Sequence, residues 1–178
     1  MSPIVGKLLV WVGDQAACIR IVGRANFALS VDFRKLLRHL LPDGSRRLLL
    51  DLSECQTMDS TFLGVLAFEA SQGRTAGTTH SGAPMKLLNA KPAVREIIED
   101  LGIARLFEFE ERDFGQQQFD AVPAAGAASA GELTRTSLEA HELLMALHPA
   151  NVAKFKEVAR FLTEEFKSSA DPGAAPGN

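Results

Sequence analysis

A chain of 178 residues is long enough for one domain with a sizeable core and too short for two large ones. Hydrophobic residues make up 46% and charged residues 23%, the balance of an ordinary globular protein. The net charge of −3 and the dispersed Arg and Lys residues leave no electrostatic footprint for nucleic acid or an anionic membrane.

The opening MSPIVGKLLVWVG has a short apolar run without a cleavage-site pattern, so no secretory signal is expected. No stretch approaches a membrane-spanning length, and a cytoplasmic location without membrane insertion is expected. Cys18 and Cys55 are too few for a disulfide framework and read as reduced thiols, or at most one bridge.

Residues 7–12 (KLLVWV) and 17–23 (ACIRIVG) are apolar runs separated by Gly13-Asp14-Gln15, the pattern of a hairpin. Phe27, Val31, Leu36, Leu37, Leu40 and Leu41 form a helical stripe over 27–41 that stops at Pro42-Asp43-Gly44. Residues 47–52 (RLLLDL) read as a short strand buried on both faces. A polar loop leads to a helix over 61–72, with Leu63, Leu66, Ala67 and Ala70 on one side. Met85–Leu88 is a strand, and Pro92 opens a helix over 93–101 that Gly102 closes. A last strand is expected over 106–109. Strands alternating with helices at short spacing predict an α/β sheet with helices packed against it.

The remainder has a different character. Residues 121–131 (AVPAAGAASAG) read as a flexible linker, 132–167 as an amphipathic helical extension, and 168–178 as a disordered tail. Within the extension, Leu133, Leu143, Leu144 and Leu147 mark one helix. Val152, Phe155, Val158, Ala159, Leu162 and Phe166 mark a second after Pro149. Two short helices are marginal alone in water, so their apolar face must be covered. Packing on the same domain, homodimerisation and docking of another protein all meet that need.

Enzyme motifs are missing: there is no Walker loop, dinucleotide fingerprint or G-x-S-x-G elbow. His141-Glu142 opens like a zinc-protease helix, but Met145 stands where the second histidine belongs, and no Cys/His spacing forms a metal site. His141 and His148 are expected at the surface or an interface. The expectation is a non-enzyme without cofactor.

The informative segment is 48–68, LLLDLSECQTMDSTFLGVLAF: a buried strand, a short loop, then Met58-Asp59-Ser60-Thr61 opening an apolar helix. Asp and Ser are helix-capping residues, and a well-capped helix is one sufficient reading. A helix N-terminus after a strand also stabilises an anion, so a phosphorylated hydroxyl there makes a binding switch. Gly64, costly inside a helix by about 1 kcal/mol relative to Ala, is expected to serve close packing of helix on sheet.

Strand, loop, MDSTFLG and apolar helix together resemble the STAS domains of bacterial anti-sigma factor antagonists, whose pattern here is Asp-Ser-Ser/Thr-Gly-Leu-Gly. MKLLNAKPAVREIIEDLGIARLF resembles the same family's ending, so the likeness covers most of residues 7–110. The resemblance implies a mixed sheet of about four or five strands flanked by helices over residues 1–120, with the C-terminal helical extension added. It implies Thr61 as the phospho-acceptor, with Ser60 second, and Asp59, Ser60, Thr61, Phe62 and Gly64 as a partner-binding surface. The implied partners are an anti-sigma factor that is itself a serine/threonine kinase, and a resetting phosphatase. Two departures stand out. Phe62 replaces the usual small residue, and the connection QGRTAGTTHSGAP is long. With the C-terminal helices, Phe62 favours an alternative: a non-phosphorylated scaffold or regulatory subunit of a transporter or signalling assembly.

Overall fold

Alternate residues of the segment 16–25 serve two different apolar clusters, which makes it the axis of a sheet covered on both faces. The computed structural model describes residues 5–41, 47–75 and 85–170. In chain order its elements are β1 (Lys7–Val12), β2 (Ala16–Ala25), α1 (Phe27–Leu40), β3 (Arg47–Asp51), β4 (Cys55–Met58), α2 (Ser60–Thr75) and β5 (Met85–Leu88). Then follow α3 (Pro92–Asp100), a 3-10 turn (Ala104–Leu106), β6 (Phe107–Glu110), β7 (Asp120–Ala121), α4 (Ala130–Leu147) and α5 (Ala150–Ala170).

The strands lie in the order β6-β5-β3-β2-β1-β7. β2, β3, β5 and β6 are mutually parallel, and β1 runs antiparallel to β2 and β7. Parallel neighbours need crossovers, which α1, α2 and α3 supply. The chain is therefore a mixed α/β protein with flanking and C-terminal helices. Ala17, Ile19 and Ile21 of β2 face the main core beneath Phe33 of α1, Leu63 and Leu66 of α2, and Ile98 of α3. Cys18 faces the other way, with Leu49 and Leu88, under Trp11, Phe114 and Phe119.

Two short strands extend the sheet beyond the elements expected from sequence. In CQTM the two middle residues are exposed and the two ends buried, so no alternation marks a strand. Pairing with Gly23–Ala25 of β2 makes it one, across a register shift between Gly23 and Arg24. β7 runs into the first residue of the segment read as a linker, where Leu9 and Val10 pair with Ala121 and Asp120. Residues 122–129 carry no secondary structure, and α4 begins at Ala130 under a cap from the Ser129 side chain. The helix stop at Pro42-Asp43-Gly44 and most of the long connection before Met85 lie outside the described residues. So does 171–178 of the expected tail, whose earlier residues continue α5.

α4 packs on α2 and α1, and Ala140 and Leu144 are part of the main core. At the α4–α5 turn, Asn151 Nδ2 donates to the carbonyls of Leu101 and Leu144 at 2.9 and 2.8 Å. Arg105 Nη2 donates to Leu147 O at 2.9 Å. Among the described residues, no helix is long and apolar enough to cross a membrane.

Candidate functional site

The site is built at the point where β4 turns into α2. The Asp59 N–H donates to Ala25 O at 2.9 Å, which fixes the turn against the end of β2. Its carboxylate then works in two directions. Oδ1 accepts from the Phe62 N–H at 2.8 Å, capping α2, and Oδ2 accepts from the Phe27 N–H at 2.7 Å, at the start of α1. One acidic residue thus satisfies orphan donors of two helices and holds their N-termini together.

Ser60, by contrast, does not cap the helix; its hydroxyl goes to α4. Ser60 Oγ lies 2.8 Å from His141 Nε2, and His141 Nδ1 lies 2.6 Å from the carbonyl oxygen of Ser137. A carbonyl can only accept, so Nδ1 carries the proton and Nε2 of the neutral ring accepts from Ser60. Burial holds His141 below its ordinary pKa of 6.5, while the Ser137 carbonyl and the Asp59 charge act the other way. The ring also stacks on Phe155 of α5, centroids 4.9 Å apart. Thr61 is only 5% exposed, and its Oγ1 donates to Ser137 Oγ at 3.3 Å.

The same contacts place Phe62, Gly64 and His141. Phe62 has no exposed surface and stacks on Phe33 of α1, ring centroids 5.2 Å apart. About 100° of helical rotation separates it from Thr61, enough to turn the ring into the core. Gly64 faces α4 at Ala140. A Cβ built on it would lie 2.5 Å from Ala140 Cβ and 2.6 Å from the Ala140 carbonyl oxygen. His141, expected at a surface or interface, is buried in the contact between α4 and α2.

The flank of the site is charged. Arg34 Nη1 donates to Glu139 Oε2 at 3.1 Å, Arg34 Nε lies 3.8 Å from Glu69, and Lys35 lies 3.5 Å from Glu132. Sequence spacing gave no notice of Ser137, His141, Arg34 or Glu139, since each acts across more than 70 residues or between elements. The one available sign was the placement of Ser137 and His141 four apart on a predicted helix, hence on one face.

Among the described residues no group of three or more His, Cys, Asp or Glu side chains is placed to hold a metal ion. Both cysteines are free and buried, and burial pushes the thiols up, Cys18 to about 12 and Cys55 to about 11.

A family model described as "Mlab, STAS domain" matches residues 12–108. This chain belongs to the STAS-domain family. The matched STAS region contains Asp59, Ser60, Thr61, Phe62 and Gly64; Ser137 and His141, which close over them, lie outside it. Two solved structures are similar to the chain. The anti-sigma factor antagonist SpoIIAA in its unphosphorylated form is 17% identical, covering 59% of this chain and 87% of its own, with a TM-score of 0.48. An anti-sigma factor antagonist from Mycobacterium paratuberculosis is 19% identical, covering 61% of this chain and 88% of its own, with a TM-score of 0.49.

Proposed function

We propose that this STAS protein is a binding switch of the anti-sigma-factor-antagonist type, with Thr61 as phospho-acceptor and Ser60 as the second candidate. The observation that carries the reading is the hydroxyl pair at the start of α2, beside the N–H groups that Asp59 organises. A phosphoryl group there gains from the helix N-terminus and adds about −1.5 to −2 charges. Thr61 Oγ1 sits 3.3 Å from Ser137 Oγ, which leaves no room for a phosphate while α4 is docked. Phosphorylation and α4 docking therefore exclude each other.

In this scheme the unmodified chain binds an anti-sigma factor that is also a serine/threonine kinase. The kinase moves the γ-phosphoryl of its ATP to Thr61, leaving ADP, and a phosphatase reverses the modification. The chain itself supplies no cofactor and performs no catalysis. A second reading, the unphosphorylated scaffold or regulatory subunit, is favoured by one observation: both hydroxyls already bond to α4.

Phosphopeptide mass spectrometry on the protein from its own cells separates the two. Phosphate on Thr61 or Ser60, within a fully covered 47–74 segment, is the expected result. A covered segment that stays unmodified under several growth and stress conditions leaves the scaffold reading.

A further inference from the structure

The groove between α1 and α2 is filled by a helix from outside the STAS region, and that helix fits it imperfectly. α4 meets the groove through Thr136, Ala140, His141 and Leu144, so most of its buried face is small or polar. Ala140 enters where Gly64 lacks a side chain, and Glu132 and Glu139, two turns apart, reach Lys35 and Arg34. Among the described residues, two buried polar atoms have no hydrogen-bond partner: Arg34 Nε, whose ion-pair neighbour Glu69 stands 3.8 Å away, and Asn151 Oδ1; both belong to residues that tie the α4–α5 hairpin to the domain. Neither atom makes a hydrogen bond with the resident helix to offset its desolvation. The hairpin is joined to the domain only through 122–129, a stretch without secondary structure.

We propose that this groove is a receptor for an amphipathic acidic helix of a partner protein, and that α4 is its tethered competitor. The partner helix carries a small residue against Gly64 and carboxylates about seven residues apart against Lys35 and Arg34, one of them able to reach Arg34 Nε. A short flexible tether gives the resident helix an effective concentration in the millimolar range. The partner's apparent affinity is reduced by the fraction of chains in which the hairpin is docked. The inference deepens the binding-switch reading by naming what the site recognises, but it needs neither a phosphate nor a kinase.

The test uses the full chain and, as probe, a fluorescent peptide with the sequence of residues 129–148. Ala140→Gln in the chain expels its own α4 from Gly64 and leaves the groove unaltered. Peptide affinity, followed by anisotropy, rises at least tenfold over wild type. The gain disappears when Arg34→Glu and Lys35→Glu are added, or when the peptide carries Glu132→Gln and Glu139→Gln. If Ala140→Gln fails to fold, the solvent-side pair Glu132→Lys and Glu139→Lys, read at low salt, raises affinity in the same sense. Equal affinity in wild type and opened chain, or no saturable binding to a folded opened chain, overturns the proposal. So does a concentration-dependent wild-type dimer held by exchanged hairpins, because the occupant is then a second copy. Loss of phosphorylation at Thr61 leaves this result untouched, so failure of one reading is distinguishable from failure of the other.

Discussion

Replacing Gly64 by Ala sets helix propensity against packing, and the structure says which wins. In an isolated helix the change stabilises by about 1 kcal/mol. Here the new Cβ would lie 2.5 Å from Ala140 Cβ, 2.6 Å from its carbonyl oxygen and 2.7 Å from its Cα, about 0.7–0.9 Å short of ordinary 3.4 Å contact. Two of those atoms are backbone, so no rotamer change relieves the clash and α4 must retreat from α2. Overpacking of this kind costs roughly 1–3 kcal/mol. Subtracting the propensity gain leaves a net loss of about 0–2 kcal/mol by urea unfolding. Elastase, which cuts after small residues, should also cleave 122–129 faster as α4 loosens. Ala140→Gly alone loses about 1 kcal/mol of propensity, and in the double variant it removes only the 2.5 Å methyl contact, while the carbonyl oxygen and Cα stay at 2.6 and 2.7 Å. The cycle should therefore show only a partial restoring coupling, about 1 kcal/mol or less. A Gly64→Ala protein more stable than wild type, with no coupling to Ala140, would refute the packing argument.

Other consequences follow from the same contacts. The neutral His141 ring, held below its ordinary value, contributes docking stability that is complete above pH 6.5 and is lost as pH falls through the depressed value. Elastase cleavage at 122–129 should therefore accelerate on acidification. Glu69, raised by burial, gains stability on protonation and works in the opposite sense, so the His141→Gln difference isolates the ring. Thr61→Glu buries an unpaired charge beneath α4 and should speed that cleavage at least tenfold. Thr61→Val, which removes only the 3.3 Å hydrogen bond to Ser137, should cost no more than about 1 kcal/mol in urea unfolding. Asp51, fully buried, accepts from Arg20 Nε at 2.5 Å and from Asn89 Nδ2 at 3.0 Å. Arg20 keeps Glu54 at 3.7 Å, so Asp51→Ala should destabilise by about 1–3 kcal/mol in urea unfolding, the cost of leaving the Ser53 and Asn89 donors without their acceptor. Cys18 and Cys55, buried and pushed up to about 12 and 11, should resist iodoacetamide at pH 8 until the chain is unfolded, as read by intact mass.

The order of the main elements was legible because it depends on local signals. Apolar runs between turns mark β1, β2, β3 and β5. The stripe in 27–41, Pro92 opening α3 and Gly102 after it, in the left-handed region at φ 68°, mark helices and their ends. Asp59 was legible as a cap because a side-chain oxygen three residues from a free N–H is a sequence-local relation. β4 and β7 were not, since each is a strand only by virtue of the partner it finds in β2 or β1. The direction of Phe62 and the neighbour of Gly64 were equally hidden. Phe62 is turned into the core by helix phase, and Gly64 accommodates a helix that arrives about 70 residues later in the chain. α4 shows the limit most plainly. Its leucines marked a helix, yet Thr136, Ala140 and His141 make up most of the face it buries. Periodicity reports which residues avoid water, whereas small size and hydrogen-bond complementarity acquire meaning only against a particular opposing surface. The sequence by itself determined an α/β domain with a hydroxyl pair at a helix start. Only the tertiary structure decided that the pair lies beneath the chain's own α4, because the contacts that bury it join elements remote in sequence.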